Sequence, residues 1–282
     1  MTDILVGLIG AGIQASRTPA MHEKEGAEQG LRYVYRLIDL ETLSLSAEAL
    51  SELMDAAERE GFTGLNITHP CKQSVIPLLT ELSDDARALG AVNTVVFRDG
   101  KRFGHNTDWW GFAESFRRGL PNAALGHVIQ LGAGGGGAAV AHAALTLGVE
   151  RLTLFDLDED RAQNLATALA IRFGNGRAVT SDDLGKAMAS ASGLIHATPT
   201  GMAKYPGLPL PAALLHPRLW VAEIVYFPLE TELLRVANRL GCRTLNGGGM
   251  AVFQAVEAFR LFTGITPDAD RMHRHFASMG GN

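Results

Sequence analysis

The sequence has only two cysteines in 282 residues, Cys71 and Cys242, far apart and in no C-x-x-C pair. That excludes a disulfide framework and a cysteine-based zinc site, and it fits a reducing compartment. His22, His69, His105 and Cys71 show no recognised ligand spacing, so no metal is expected. No apolar run approaches the roughly 20 residues of a membrane span. The start Met1-Thr2-Asp3 carries no basic segment ahead of its short apolar run, so a cytoplasmic protein off the membrane is expected. The formal charge is −5, with Lys and Arg scattered rather than gathered in a stripe, which argues against nucleic acid as a principal partner. A small anionic ligand needs only local donors and stays open.

What is present is ample apolar material, 46% of residues, enough for two buried cores. One stretch stands out. The apolar run Ile129-Gln130-Leu131 enters Gly132-Ala133-Gly134-Gly135-Gly136-Gly137 and then a small-residue helix over 138–147 that Gly148 ends. In a Gly-x-Gly-x-x-Gly turn the first glycine makes the turn, the second admits a phosphate to the backbone, and the third lets helix and strand pack closely. The amides and dipole of the helix N-terminus then face the anion. The strand over 151–155 delivers Asp156 about 20 residues beyond the turn, where an acid accepts hydrogen bonds from the adenosine ribose. An acid there repels the extra phosphate of NADP, and no arginine lies between Asp156 and Asp158, so the expected cofactor is NAD.

Strand and helix patterns alternate along the chain, the signature of α/β architecture with mainly parallel sheets. Strands are expected at 4–9, 33–38, 64–67, 92–97, 178–179, 193–195 and 219–225. Helices are expected at 20–29, 46–60, 72–79, 109–116, 159–173, 182–189, 231–240 and 250–263. The expected organisation is an N-terminal α/β substrate domain over 1–108, a Rossmann-type dinucleotide-binding domain over 109–246, and C-terminal helices over 247–282 returning to the first domain. A second glycine loop complicates the reading: Gly10-Ala11-Gly12-Ile13-Gln14-Ala15 also follows a strand, and a later strand ends in Asp39. Its continuation, Ser16-Arg17-Thr18-Pro19, offers hydroxyls rather than a small helix face, which assigns that loop to substrate.

Polar residues recur where strands end: Asn66-Ile67-Thr68-His69-Pro70-Cys71-Lys72, Gly90-Ala91-Val92-Asn93-Thr94 and Asn106-Thr107-Asp108. Each alone is compatible with turn chemistry, and Asp108 alone with a helix N-cap. With residues 16–22, the glycine turn, Ala197-Thr198-Pro199-Thr200-Gly201-Met202, Val225-Tyr226-Phe227-Pro228 and Gln254, their order resembles the shikimate dehydrogenase family over nearly the whole chain. The nearest resemblance is to its quinate/shikimate dehydrogenase branch.

The resemblance implies a reversible NAD-dependent oxidation of a ring hydroxyl of quinate or shikimate, with Lys72 and Asp108 as the catalytic pair. It implies that Ser16, Thr18 and Tyr226 hold the substrate carboxylate and that Asn66, Thr68, Asn93 and Gln254 bind ring hydroxyls. Thr198, Pro199, Met202 and Gly249 join the glycine turn and Asp156 in holding the cofactor, with residues 196–202 along its nicotinamide side. The sequence departs from the family pattern at His196, where Asn is common, at Glu223, where Asp is common, at Trp109-Trp110 and in the bare run Gly247-Gly248-Gly249. Ser16 with Thr18 and the acid at 156 are similar to quinate-oxidising members, which points to breakdown of cyclic polyols. A relative acting on an amino-substituted ring and a non-catalytic NAD sensor are the alternatives. A monomer or homodimer is expected.

Overall fold

The computed structural model describes residues 3–279; residues 1, 2 and 280–282, at the outer ends of the first and last expected domains, lie outside them. The chain forms two compact units, one running up to Thr107 and resuming at Val252, the other Asp108–Ala251.

The first unit contains β1 (Asp3–Gly10), α1 (Thr18–Glu28), β2 (Arg32–Asp39), α2 (Leu50–Arg59), β3 (Gly64–Ile67), β4 (Glu81–Leu82), α3 (Asp84–Leu89), β5 (Thr94–Arg98) and β6 (Lys101–His105). Its sheet has the order β2-β1-β3-β5-β6-β4. The β1 pairings with β2 and β3 are parallel, while β5 runs antiparallel to both β3 and β6. Successive residues of β1 serve opposite faces. Ile4, Val6 and Leu8 pack with Tyr33, Tyr35, Phe259 and Phe262; Ile9 packs with Met54, Leu65 and Val95. Burying such side chains stabilises the fold by about 1.5–3 kcal/mol each.

The second unit contains α4 (Asp108–Gly119), β7 (His127–Leu131), α5 (Gly135–Thr146), β8 (Arg151–Phe155), α6 (Glu159–Phe173), β9 (Ala178–Thr180), α7 (Leu184–Ala189), β10 (Gly193–His196), β11 (Trp220–Glu223), α8 (Glu232–Arg239) and β12 (Arg243–Leu245). The sheet order is β12-β11-β10-β7-β8-β9, and every pairing is parallel. Both faces are covered by apolar side chains, Val128, Leu152 and Ile195 on one and Ile129, Leu194 and Val221 on the other, as a parallel sheet requires. α9 (Gly248–Thr263) and α10 (Ala269–Ser278) complete the chain.

Side chains cap several helix N-termini. Asp158, Asp183, Thr231 and Asp268 each accept an amide of the helix that follows, a cap worth about 1 kcal/mol. Two expectations need correction. Residues 72–79 form turns and a 3-10 segment, Ile76–Leu78, rather than an α-helix; Pro77 has no N–H to donate, and the bonds from Ile76 to Gln73 and from Leu79 to Ile76 are of the i to i−3 kind. Asp108 is the first residue of α4 rather than a cap preceding it. Among the described residues no helix is long and apolar enough to cross a membrane.

Candidate functional site

In the first unit, strand register brings the polar segments to one edge of the sheet. Ile9 pairs with Ile67, Asn66 with Thr94, and Thr94 with His105. The loop after β1, Thr68 to Lys72 after β3, Asn93 before β5 and Asn106-Thr107 after β6 therefore leave from the same edge. They are tied to one another. Ala11 donates its amide to His69 O at 2.9 Å and Thr68 donates to Ile9 O at 2.9 Å, while Val92 donates to Lys72 O at 2.8 Å. Asn93 is buried, accepting the Thr107 amide at 2.7 Å on Oδ1 and donating Nδ2 to Thr107 Oγ1 at 3.0 Å. Thr18 N–H reaches Ser16 Oγ at 3.3 Å, at the start of α1. Lys72 and Gln254 are half-buried.

Asn66 is more enclosed than a free ligand-binding amide. Tyr35 donates its hydroxyl to Oδ1 at 2.7 Å, and Nδ2 donates to Thr94 Oγ1 at 3.0 Å and Asn93 O at 3.3 Å. Burial pushes the Tyr35 hydroxyl up, beyond the range of ordinary titration, so it stays protonated and keeps donating. Beneath lies His22, fully buried, its Nδ1 2.8 Å from Tyr33 Oη; burial lowers its pKa to about 3. Tyr35, Thr94 and Thr107 are supports outside the expected site residues; Thr94 follows Asn93 and Thr107 precedes Asp108 in the polar strand-end segments, whereas Tyr35 lies in neither.

The Gly10 loop is filled from within. Asp39, at the end of β2, accepts the amides of Gly12 at 3.0 Å, Ile13 at 3.1 Å and Glu41 at 3.1 Å, and Gln14 Nε2 at 2.9 Å. The Gln14 amide, with the three backbone amides, holds the Asp39 carboxyl below the usual carboxylate range against the opposing effect of desolvation.

In the second unit Gly132 and Gly137 of the turn each have a separate steric reason. Gly132 has φ +101, and a Cβ there would lie 2.4 Å from Ala197 O. A Cβ on Gly137 would lie 2.3 Å from Gly132 O, where α5 crosses the turn. Gly134 and Gly135 face open space instead, and no side chain caps α5. Gln130 braces the turn from below, donating Nε2 to Gly132 O and Gly137 O, each at 2.8 Å. A glutamine inside an apolar strand is the sequence signal for that brace. The bare backbone and uncapped helix N-terminus fit a pyrophosphate.

At the neighbouring strand end Asp156 accepts Ala133 N–H at 2.7 Å and Asp158 N–H at 3.0 Å. Leu157 between the two acids is fully exposed. Arg161 lies 3.6 Å from Asp156 and 3.2 Å from Asp158, a cation supplied from beyond the Asp156–Asp158 interval. Thr198 is partly buried, Met202 and Tyr226 are exposed. Gly249 packs on α4, where a Cβ would meet Ser115 Oγ at 2.1 Å and displace that side chain, so packing by itself favours glycine there.

Fold and cradle together define an α/β dehydrogenase with an N-terminal substrate domain and a C-terminal Rossmann-type domain. Residues 8–95 match the shikimate dehydrogenase substrate binding domain, and residues 247–275 match the shikimate 5'-dehydrogenase C-terminal domain. A shikimate dehydrogenase (NADP(+)) of Streptomyces avermitilis is 62% identical over 98% of this chain and 96% of its own length. A quinate/shikimate dehydrogenase (NAD(+)) of Corynebacterium efficiens is 52% identical over 98% of each. The structure of quinate dehydrogenase from Corynebacterium glutamicum in complex with NAD superimposes with a TM-score of 0.94 at 50% identity, covering 98% of this chain and all of the other. The chain belongs to the shikimate dehydrogenase family.

Proposed function

We propose that the protein oxidises a ring hydroxyl of quinate or shikimate with NAD as its preferred cofactor. Bound at the Gly132 turn, a nicotinamide dinucleotide supplies the hydride acceptor for the ring carbon. Lys72 takes the hydroxyl proton in oxidation and returns it in reduction, and Asp108 orients that hydroxyl. Ser16, Thr18 and Tyr226 receive the carboxylate; Thr68, Asn93 and Gln254 meet ring hydroxyls. Asn66, with its amide already engaged by Tyr35 and Thr94, contributes through a remaining lone pair. A polyhydroxylated ring suits such a lining, because each buried polar group needs a partner.

The carrying observation is the corner beyond the turn. Asp156 and Asp158 flank an exposed Leu157, with Arg161 a close cation to both. They supply acceptors for ribose hydroxyls, whereas a 2′-phosphate would add like charge, at a cost reaching several kcal/mol. NADP is the second reading, favoured by the name of the Streptomyces relative and by Arg161 as a phosphate partner. Initial rates with NAD and NADP on quinate and shikimate decide between them. The expected result is an NAD preference in kcat/KM of about 100-fold or more; equal efficiency would refute it. Lys72→Ala should lose roughly 10²- to 10⁴-fold in kcat, and an unchanged kcat would remove the assigned acid/base.

A further inference from the structure

Within the second unit a buried polar chain runs from the loop after β10 to the start of α8. Parallel register sets His196 beside Glu223, and both side chains are fully buried. His196 Nδ1 lies 2.9 and 2.8 Å from the two Glu223 oxygens. One of those oxygens also accepts Val225 N–H at 3.0 Å, and the other the Thr231 hydroxyl at 3.1 Å. Thr231 in turn accepts Leu234 N–H at 3.3 Å and caps α8. On the far side of the imidazole, Nε2 meets Thr198 Oγ1, which also accepts Thr200 N–H at 3.3 Å.

The donors fix the polarity at the Glu223 end of this chain. Imidazole, amide and hydroxyl converge on Glu223, so its carboxylate is the acceptor throughout and His196 carries its proton on Nδ1. This tautomer is assigned from the hydrogen-bond network. Taken as neutral, the ring accepts at Nε2, and the Thr198 O–H then turns inward to it. One Thr198 lone pair takes Thr200 N–H; the other is left for a ligand. The partly exposed hydroxyl therefore offers an acceptor and no donor. A buried carboxylate is a costly way to hold a histidine if packing alone is served.

We propose that Glu223 and His196 are positioning residues that lock the Thr198 hydroxyl as an acceptor for a hydrogen-bond donor on the nicotinamide riboside half of the cofactor. The inference rests on the reading that residues 196–202 lie along that half. The matching donor is a ribose hydroxyl or the carboxamide NH₂.

The test is a double-mutant cycle read on the KM for NAD against the KM for the cyclic acid. Thr198→Val should raise the KM for NAD about tenfold, the loss of one hydrogen bond, while the substrate KM stays within about twofold and Thr198→Ser restores the starting value. Glu223→Gln should raise the KM for NAD several-fold alone and add nothing once Thr198 is Val. His196→Asn keeps a donor beside Glu223 but is too short to reach Thr198, and serves the same cycle if Glu223→Gln does not fold. With 3-acetylpyridine adenine dinucleotide, which lacks the amide NH₂, the Thr198→Val penalty persists if the donor is the ribose and vanishes if it is the carboxamide. Full additivity, with Thr198→Val still raising the KM for NAD, overturns the positioning role and leaves the loop's place intact. An unchanged KM in Thr198→Val overturns both.

Discussion

The chain carries two glycine loops in the same sequence setting, each after the first strand of its unit and each followed by a strand with an aspartate at or just past its end. They differ in what occupies the backbone amides. At residues 10–15, Asp39 takes two loop amides and a loop side chain, and α1 does not begin until Thr18. At residues 132–137, Asp156 takes one loop amide, that of Ala133, α5 begins at Gly135 without a side-chain cap, and Gly134 and Gly135 are bare to open space. A glycine pattern thus marks a tight strand-to-helix turn, and anion binding follows only where the amides are left to the ligand.

Perturbing each loop sharpens the contrast. The largest effect is expected from Gly137→Val, which drives side-chain atoms into Gly132 O at the helix crossing; dinucleotide affinity should fall by more than about 100-fold and the melting temperature with it, in the manner of backbone overpacking. Calorimetry with a cofactor titration reads both. Asp39→Ala strips the acceptor from Gly12, Ile13, Glu41 and Gln14, so the KM for the cyclic acid should rise about tenfold or more while the dissociation constant for NADH holds. A matching rise in both constants would mean the first loop touches the nucleotide. Thr18→Val is expected to act in the same direction but less, by about three- to tenfold in substrate KM, again without a change in NADH binding.

A separate effect, read on stability, is an acid one. Burial keeps His22 neutral, with its pKa lowered to about 3, whereas the unfolded chain binds that proton near pH 6.5. The unfolded state therefore holds more protons between pH 6.5 and 3, and stability falls as pH is lowered through that window by up to about 1.4 kcal/mol per pH unit. Urea melts of His22→Leu at pH 7 and pH 5 should show a shallower loss than the parent. Equal losses would remove His22 from the acid response.

How legible all this is in the sequence depends on the range of the interaction. The cradle is readable because its demands are local: Gly132 and Gly137 must be glycine for contacts within a few residues or with the neighbouring strand's continuation, and such steric needs leave a fixed spacing. The segments around Thr68, Asn93 and Thr107 are readable as strand ends, since the α/β pattern already sends strand ends to one edge. What escapes is long-range. Nothing near Asn66 announces that Tyr35 holds its amide from another strand, nor does the spacing around Asp156 reveal that a turn of α6 returns Arg161 to it. His196 and Glu223 read singly as two departures from a family pattern; strand register makes them one unit. The misread helix at 72–79 has a local cause that was available, Pro77.

The most direct test of the contrast between the loops is a fluorescence titration of NADH against Gly135→Asp. The position faces open space, and an acid in the first turn of a helix is neutral or favourable for folding, so the melting temperature should stay at or above that of the parent. The added carboxylate stands where the pyrophosphate is assigned, and NADH affinity should drop by about 100-fold or more. Undiminished NADH binding in that folded variant would contradict the account and return the Gly10 loop to contention.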